Sequence, residues 1–221
     1  HNLPSGMADP RFAGFRAVTT YVRPPHSHGC TPVEVVPGVW TAHYHDIDTR
    51  EKLQAVAPAT TLVVNAAKVD KCPTGPGSYG EGVDVLCIDG LLDDPEPLKK
   101  VDAMPQGAEK EAARAALPTF AQEECAGDAY KDFELVNAAI AHEIGSGGAA
   151  MVHCYASLSR SVVFILAYLM KTRGLSATDA AALMKPQWDA TWPNDSFVLQ
   201  LLKYEDDLNG RRAEPVRGVG T

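Results

Sequence analysis

The sequence lacks a long hydrophobic run and a secretory pattern at its start. Its longest uninterrupted apolar segment, residues 162–170, is about half of the roughly 20 residues that a membrane-spanning helix needs. The first residues, HNLPSGMADP, show no charged segment followed by an apolar one. We therefore expect a chain that is neither secreted nor inserted into a membrane.

Positive charge is also scarce. The 221 residues include 20 Lys and Arg against 28 Asp and Glu, which gives a formal net charge of −8. The field of such a molecule does not favour nucleic acid or an anionic membrane surface, so we expect neither as a partner. An anionic ligand would need a local positive site. The composition does not indicate the oligomeric state.

Cysteines with zinc-type paired spacing are absent. An odd number of cysteines without a secretory pattern argues for free thiols in a reducing compartment, so we expect a cytoplasmic protein. We expect neither a metal nor a cofactor, and we interpret His26, His28, His43 and His45 as surface histidines. The five cysteines are Cys30, Cys72, Cys87, Cys125 and Cys154.

The hydrophobic pattern predicts an α/β fold. A chain of this length with 45% hydrophobic residues fits one domain. Short apolar runs such as TLVVN and AAMVHC alternate with longer segments of helical spacing, which predicts a mostly parallel central sheet flanked by helices. We expect an irregular N-terminal arm over residues 1–32, the folded domain over 33–209 and a C-terminal tail over 210–221.

The segment HCYASLSRS joins a predicted strand to a predicted helix. Cys154 ends the strand, Arg160 begins the helix, and the short loop between them must curl. Its N–H groups and the helix N-terminus can then hold an anion, and Arg160 adds a planar fork that matches phosphate oxygens. The same positive field stabilises a thiolate at Cys154. This predicts a nucleophile aimed at phosphorus and a phosphocysteine intermediate.

Phosphoryl transfer to a cysteine needs two further groups. The leaving oxygen needs a proton donor, and the loop after the predicted strand VDVLCI offers Asp89, Asp93 and Asp94. A hydroxyl beside the sulfur helps it leave when water attacks the intermediate, and Ser161 is placed for that role. Ligands bind at the carboxyl ends of strands in such sheets, where both loops are expected.

The same segment resembles the signature of the cysteine-based protein tyrosine phosphatases, in particular their dual-specificity branch. That signature is His-Cys, five residues, Arg, then Ser or Thr. The resemblance extends over about residues 33–208: VEVVPGVWTA is similar to the opening hairpin of that branch, and WPNDSFVLQLLKYEDDL is similar to its closing helix. It implies a protein tyrosine phosphatase-like fold and an enzyme that removes phosphate from phosphotyrosine, phosphoserine or phosphothreonine in proteins.

The resemblance also implies roles for individual residues. Cys154 would be the nucleophile, Arg160 the phosphate clamp and Ser161 the hydroxyl that assists breakdown of the intermediate. Asn194, in the Pro-Asn pair before the closing helix, would support the loop from behind. The phosphate cradle would be the backbone of Tyr155, Ala156, Ser157, Leu158, Ser159 and Arg160.

The general acid is implied by a second resemblance. The segment LLDDPE is similar to an arrangement in some atypical members of the branch, where the first Asp donates the proton. Asp93 is therefore expected as the acid, with Asp94 as the second candidate. Asp89 lies too close to the strand end. We interpret His153 as a buried residue behind the loop that influences the thiol only indirectly.

Two departures from the family pattern carry expectations of their own. Ser157 stands where the family usually has Gly, which accepts backbone angles that other residues disfavour, so we expect a strained or reshaped loop. The acid and the nucleophile are about twice as far apart in sequence as is usual. We infer an insertion within about residues 97–128, near the mouth of the site.

Several alternatives stay open. The protein would be a catalytically weak or inactive phosphate-binding pseudophosphatase if Ser157 distorts the loop or if neither Asp93 nor Asp94 acts as the general acid. A sulfur-transfer or arsenate-reducing enzyme also uses a Cys in an anion loop. Cys72 or Cys87 would form a disulfide with an oxidised Cys154, or they are core residues with no such role. The loop has no Lys or Arg between Cys154 and Arg160, which favours phosphoproteins over phosphoinositides as substrates.

Overall fold

The computed structural model describes residues 8–20, 31–67, 72, 74–91, 104–110, 112 and 127–213. The strands are β1 (Val33–Val36), β2 (Val39–Thr41), β3 (Thr60–Asn65), β4 (Asp84–Cys87) and β5 (Ala149–His153). The helices are α1 (Pro10–Val18), α2 (Arg50–Val56), α3 (Phe133–Gly145), α4 (Arg160–Arg173), α5 (Ala177–Met184) and α6 (Asp195–Ala213). Short 3-10 turns lie at Tyr44–Asp46 and Tyr130–Asp132.

The five strands form one sheet in the order β1-β2-β5-β3-β4. The β1–β2 pair is antiparallel, and the other three pairs are parallel. The central strands β3 and β5 are apolar on both faces because helices cover both sides, and Val63, Val64, Met151 and Val152 are fully buried. The α/β fold with a mostly parallel sheet is therefore confirmed.

Helix α4 is the centre of the larger core. Its residues 161–170 are all buried, and it packs against α3, α5, α6 and strand β5. A helix that is apolar on every side is stable only inside a protein, which explains the run that stands out in the sequence. Gly174 then ends α4 in the left-handed conformation, with φ of 69°. Among the described residues, no helix has the length and apolar character to cross a bilayer.

The opposite face of the sheet has a smaller core. Leu53 of α2 packs there with Val63 and Met151 of the sheet and with Tyr79. Thr49 caps α2 by accepting a hydrogen bond from the N–H of Lys52, at 3.3 Å. The sheet is thus enclosed between α2 on one side and the α3–α6 group on the other.

The N-terminal arm is not irregular throughout, as we expected, because helix α1 lies within it. Asp9 caps the helix through the N–H of Arg11, at 2.9 Å, and Pro10 occupies the first turn. The helix packs on α5 and α6, and its Phe15 is fully buried. Arg16 pairs with Asp195 at the start of α6. We did not expect this helix because Asp9 and Pro10 lie in a segment that is rich in Pro, Gly and His.

Two other predicted boundaries concern the C-terminal tail and the insertion. Helix α6 continues to Ala213, so the expected tail from residue 210 begins inside a helix. Most of the expected insertion, residues 97–128, lies outside the described residues. Within it, 108–110 and 112 are helical. The insertion and the domain limits stay predictions.

Candidate active site

The loop 154–160 lies at the carboxyl edge of the sheet, between its central strand and its central helix. Cys154 follows the last residue of β5, and Arg160 is the first residue of α4. The sheet ends here on one side, and the N-terminus of a 14-residue helix begins on the other. The helix dipole therefore supplies partial positive charge beside the thiol.

Ser157 adopts the backbone conformation that the family pattern assigns to Gly. Its φ is +51°, and it is the one non-Gly residue with positive φ in the described segments. Its hydroxyl accepts from the N–H of Cys154 at 3.2 Å and donates to the carbonyl of Ala42 at 2.6 Å. A left-handed non-Gly residue costs on the order of 1–2 kcal/mol, and two hydrogen bonds of about 1 kcal/mol each offset that cost. The loop is strained as expected, and the Ser side chain compensates locally.

Three carbonyls of the loop accept hydrogen bonds from outside it. The pairs are Tyr44 N–H to Tyr155 (2.9 Å), Trp188 Nε1–H to Ser157 (2.7 Å) and Trp192 N–H to Leu158 (2.9 Å). In a trans peptide the C=O and the next N–H point in opposite directions. The N–H groups of Ala156, Leu158 and Ser159 therefore point away from these supports, the direction in which a loop would hold an anion.

Asn194 contacts the loop at the position where the sequence places it. Its N–H donates to Ser159 Oγ at 2.9 Å, and its side-chain Oδ1 accepts from the N–H of Phe197 at 3.0 Å. It thereby caps α6 and holds the end of the loop at once. The start of α6 and the start of α4 are fixed to each other through this residue.

The thiol and the neighbouring hydroxyl meet inside the protein. Ser161 Oγ donates to Cys154 Sγ at 3.6 Å. Cys154 is only 2% exposed, and Ser161 is fully buried. A hydroxyl in this position stabilises negative charge on the sulfur. The structure therefore brings Cys154, Arg160 and Ser161 together at one helix N-terminus.

His153 is buried behind the loop and is neutral. Its Nδ1 donates to the carbonyl of Cys154 at 2.9 Å, which leaves Nε2 as the unprotonated nitrogen. The pKa of His153 is lowered to about 4, mainly because burial disfavours the charged ring. The hydrogen bond to the Cys154 carbonyl raises the pKa, and the positive charge of Arg160 lowers it further. The histidine is therefore placed to fix the backbone of Cys154.

The segment after β2 forms a wall along the first half of the loop. The ring of Tyr44 stacks on His153 with centroids 5.9 Å apart. The rings of His43 and His45 stack on each other, and both meet Tyr155 edge-on. Our interpretation of His43 as a surface residue is wrong, since it is 5% exposed. It is buried because its ring completes this aromatic packing.

Two other cysteines lie near the loop. The thiol of Cys72, fully buried, donates to the carbonyl of Cys154 at 3.9 Å. Asn65, the last residue of β3, donates to the carbonyls of Cys72 and Thr74. Cys87 donates to the carbonyl of Thr74 instead, at 3.7 Å, and burial raises its pKa. Cys72 is thus packed against the backbone of the proposed nucleophile.

Comparison with known families agrees with this geometry. The profile described as "Dual specificity phosphatase, catalytic domain" matches residues 100–207, which include the loop and the helices α3 to α6 except the end of α6. Residues 100–207 are therefore similar to the catalytic domain of the dual-specificity phosphatases. The match begins after the expected acid segment and includes Cys154 and its loop.

Individual relatives show the same similarity. The chain is 39% identical over 67 residues to dual specificity protein phosphatase 1B of Arabidopsis thaliana, and 34% identical over 112 residues to human dual specificity phosphatase 28. These segments span 30% and 49% of this chain. They span 40% and 62% of the relatives, less than two thirds of either. The crystal structure of human DUSP28 matches with a TM-score of 0.58 and 27% identity, covering 85% of this chain and 97% of that one.

The segment that carries the candidate acids is described only in part. Asp93 and Asp94 lie outside the described residues. Asp89 is exposed at the carboxyl edge of the sheet, just after β4. Strand β4 pairs with β3, which in turn lies beside β5, so the chain leaves β4 two strands away from the strand that precedes Cys154.

Sequence reasoning missed the residues that hold the loop from outside. Trp188 donates a hydrogen bond to the carbonyl of Ser157. Tyr44 and Ala42 act through main-chain atoms, which carry no sequence signal. The one usable signal was Trp188 itself, because a buried indole N–H almost always has an acceptor.

Proposed function

We propose that this protein is a cysteine-dependent phosphoprotein phosphatase that hydrolyses phosphotyrosine and phosphoserine or phosphothreonine through a phosphocysteine intermediate. One observation carries the proposal. The buried thiol of Cys154 lies at the N-terminus of α4, in a loop whose carbonyls are bonded outward and whose N–H groups face the other way. Such a loop binds a phosphate dianion and stabilises a thiolate beneath it.

In the first step the Cys154 thiolate attacks phosphorus. The S–P bond forms, the bond between phosphorus and the ester oxygen breaks, and its electron pair stays on that oxygen. Asp93, protonated, gives the leaving oxygen its proton. The dephosphorylated side chain departs as a neutral alcohol or phenol, and the phosphate remains on sulfur.

In the second step water attacks the phosphocysteine. The ionised Asp93 takes a proton from that water, the P–O bond forms, and the S–P bond breaks with its electron pair returning to sulfur. The Ser161 hydroxyl, which already points at Sγ, stabilises the thiolate as it leaves. Inorganic phosphate and the free enzyme result.

The loop supplies the charge stabilisation that phosphoryl transfer mostly requires. The equatorial oxygens would be held by the backbone of residues 155–160, and the fork of Arg160 would bind two of them. The loop side chains from Tyr155 to Ser159 are uncharged, which favours phosphoproteins over the more highly charged phosphoinositides. We place the protein in the reducing environment of the cytoplasm, where this thiol stays active.

Hydrolysis of an aryl phosphate tests the proposal. The wild-type protein should release phosphate, Cys154→Ser should release none while remaining folded, and vanadate should inhibit competitively. Chelators should have no effect. Turnover that survives Cys154→Ser would refute the nucleophile, and loss of activity in chelator would refute the metal-free mechanism. Phosphopeptide binding without turnover would instead identify a pseudophosphatase, and greater thiosulfate or arsenate activity a different enzyme.

A further inference from the structure

Tyr155 is an exposed aromatic residue directly beside the proposed nucleophile. Three large apolar or aromatic side chains are exposed within the described part of the chain: Leu135, Tyr155 and Trp192. Tyr155 is 39% exposed, although Cys154 before it is 2% exposed. Its Cα lies one residue, about 3.8 Å, from that of the nucleophile. This places an exposed aromatic ring beside the loop that we propose binds phosphate.

The exposed ring is nevertheless fixed in position. The carbonyl of Tyr155 accepts from the N–H of Tyr44 at 2.9 Å, and its hydroxyl lies 3.3 Å from Nε2 of His45. The rings of His43 and His45 meet it edge-on, with centroids 5.3 and 5.5 Å away. The two histidines are themselves stacked and fixed by the bond from the N–H of His45 to Nδ1 of His43.

A ring held in this way loses little freedom when a ligand packs on it. Preorganised aromatic side chains with a polar tip are the residues that binding surfaces favour for this reason. His43 and His45 support the Tyr155 ring on one side, and 39% of the residue remains exposed to a ligand. A phosphate held in the loop, as proposed above, brings the group attached to it next to Tyr155, which is itself a loop residue.

The two substrate classes of the proposed function differ at this point. The ester oxygen of phosphotyrosine carries a phenyl ring, whereas that of phosphoserine or phosphothreonine carries a small aliphatic carbon. Only the first can form an aromatic pair. Such a pair contributes about a 2- to 10-fold preference beyond simple burial.

We propose that Tyr155, positioned by His43 and His45, is a specificity-determining residue whose ring packs on the phenyl ring of phosphotyrosine. The protein then prefers phosphotyrosine over phosphothreonine in the same peptide. The proposal rests on the function proposed above, and it adds the substrate class that the site selects.

The test compares two peptides that differ only in phosphotyrosine or phosphothreonine. We expect the ratio of their kcat/KM values to favour phosphotyrosine, and Tyr155→Leu to lower that ratio about 2- to 10-fold, mainly through the phosphotyrosine peptide. Tyr155→Phe keeps the ring and should retain most of the preference. Leu135→Ser, an exposed position on α3, is the control and should leave the ratio unchanged. An equal loss for both peptides in Tyr155→Leu would overturn the proposal, since the ring would then only support the loop.

The affinities of the two peptides test the role of Tyr155 independently of turnover. The Cys154→Ser protein should bind the phosphotyrosine peptide more tightly than the phosphothreonine peptide, and adding Tyr155→Leu should remove that difference. Equal affinities before the second change would overturn the proposal. If the wild-type protein hydrolyses neither peptide, the phosphatase function fails, while the binding comparison still decides the role of Tyr155.

Discussion

The indole N–H of Trp188 donates to the carbonyl of Ser157 at 2.7 Å, and this bond joins the segment before α6 to the loop residue with positive φ. Trp188 is 2% exposed, so the bond is shielded from water. It turns the Ser157 carbonyl outward and with it the following N–H inward. The conformation of the loop 154–160 therefore depends on a side chain about thirty residues further along the chain.

Removing this bond should weaken the loop. Trp188→Phe leaves a buried carbonyl without its donor, and we expect a loss of about 1–3 kcal/mol in the free energy of unfolding together with weaker vanadate inhibition. Chemical denaturation and inhibition constants measure the two effects. Trp192→Phe is the matched control, because Trp192 supports Leu158 through its main-chain N–H. Equal effects of the two changes would assign the result to lost ring volume.

The hydroxyl and the backbone strain of Ser157 can be separated by two substitutions. Ser157→Ala keeps the strained φ and loses both hydrogen bonds, so we expect about 2–4 kcal/mol lower stability. Ser157→Gly also loses the bonds but relieves the strain, so it should be about 1 kcal/mol more stable than the Ala variant. Denaturant unfolding of the three proteins gives the order. An Ala variant at least as stable as the Gly variant would contradict the compensation described above.

Asp93→Asn tests the assignment of the general acid. Phenolate leaving groups of low basicity need little protonation, whereas aliphatic alkoxides need it fully, so kcat should fall about 10²–10⁴-fold for a phosphothreonine peptide and far less for p-nitrophenyl phosphate. Steady-state kinetics with both substrates measure the difference. Asp94→Asn is the neighbouring control. The same pattern in that variant would move the acid to Asp94, and a uniform loss in Asp93→Asn would place it elsewhere.

The neutral state of His153 predicts a pH dependence of stability. Its pKa is about 4 in the folded protein and ordinarily 6.5, so the unfolded chain takes up the proton first as pH falls. Stability is therefore lost from about pH 6.5 downward until the folded pKa is reached. The loss between pH 7.5 and 5 should be about 2 kcal/mol. Unfolding of wild type and His153→Gln across this window should show a flatter profile for the variant, and parallel profiles would contradict the assignment.

The parts of the site that depend on local spacing could be predicted from the sequence. Cys154, Arg160 and Ser161 come together because only five residues separate the end of a buried strand from the start of a buried helix. The strands β3 and β5 were recognised for a similar reason, since parallel strands covered on both faces read as continuous apolar runs.

The contacts that fix the loop could not be predicted in the same way. Ser157 bonds to Ala42 across 115 residues and to Trp188 across 31, and the partner atoms in Ala42 and Ser157 are main-chain carbonyls. Residue identity says nothing about where a carbonyl points. The aromatic group of His43, His45 and Tyr155 likewise depends on how β2 is placed beside β5.

Helix α1 has a consequence for how this protein is divided into fragments. Its Phe15 is buried against the rest of the fold, and Arg16 pairs with Asp195, the residue after Asn194. A truncation that starts at residue 33 would uncover the apolar faces of α5 and α6 and leave Asp195 without that guanidinium. Any minimal catalytic fragment should therefore keep the chain from Asp9 onward, because the first helix is part of the folded unit that carries the loop.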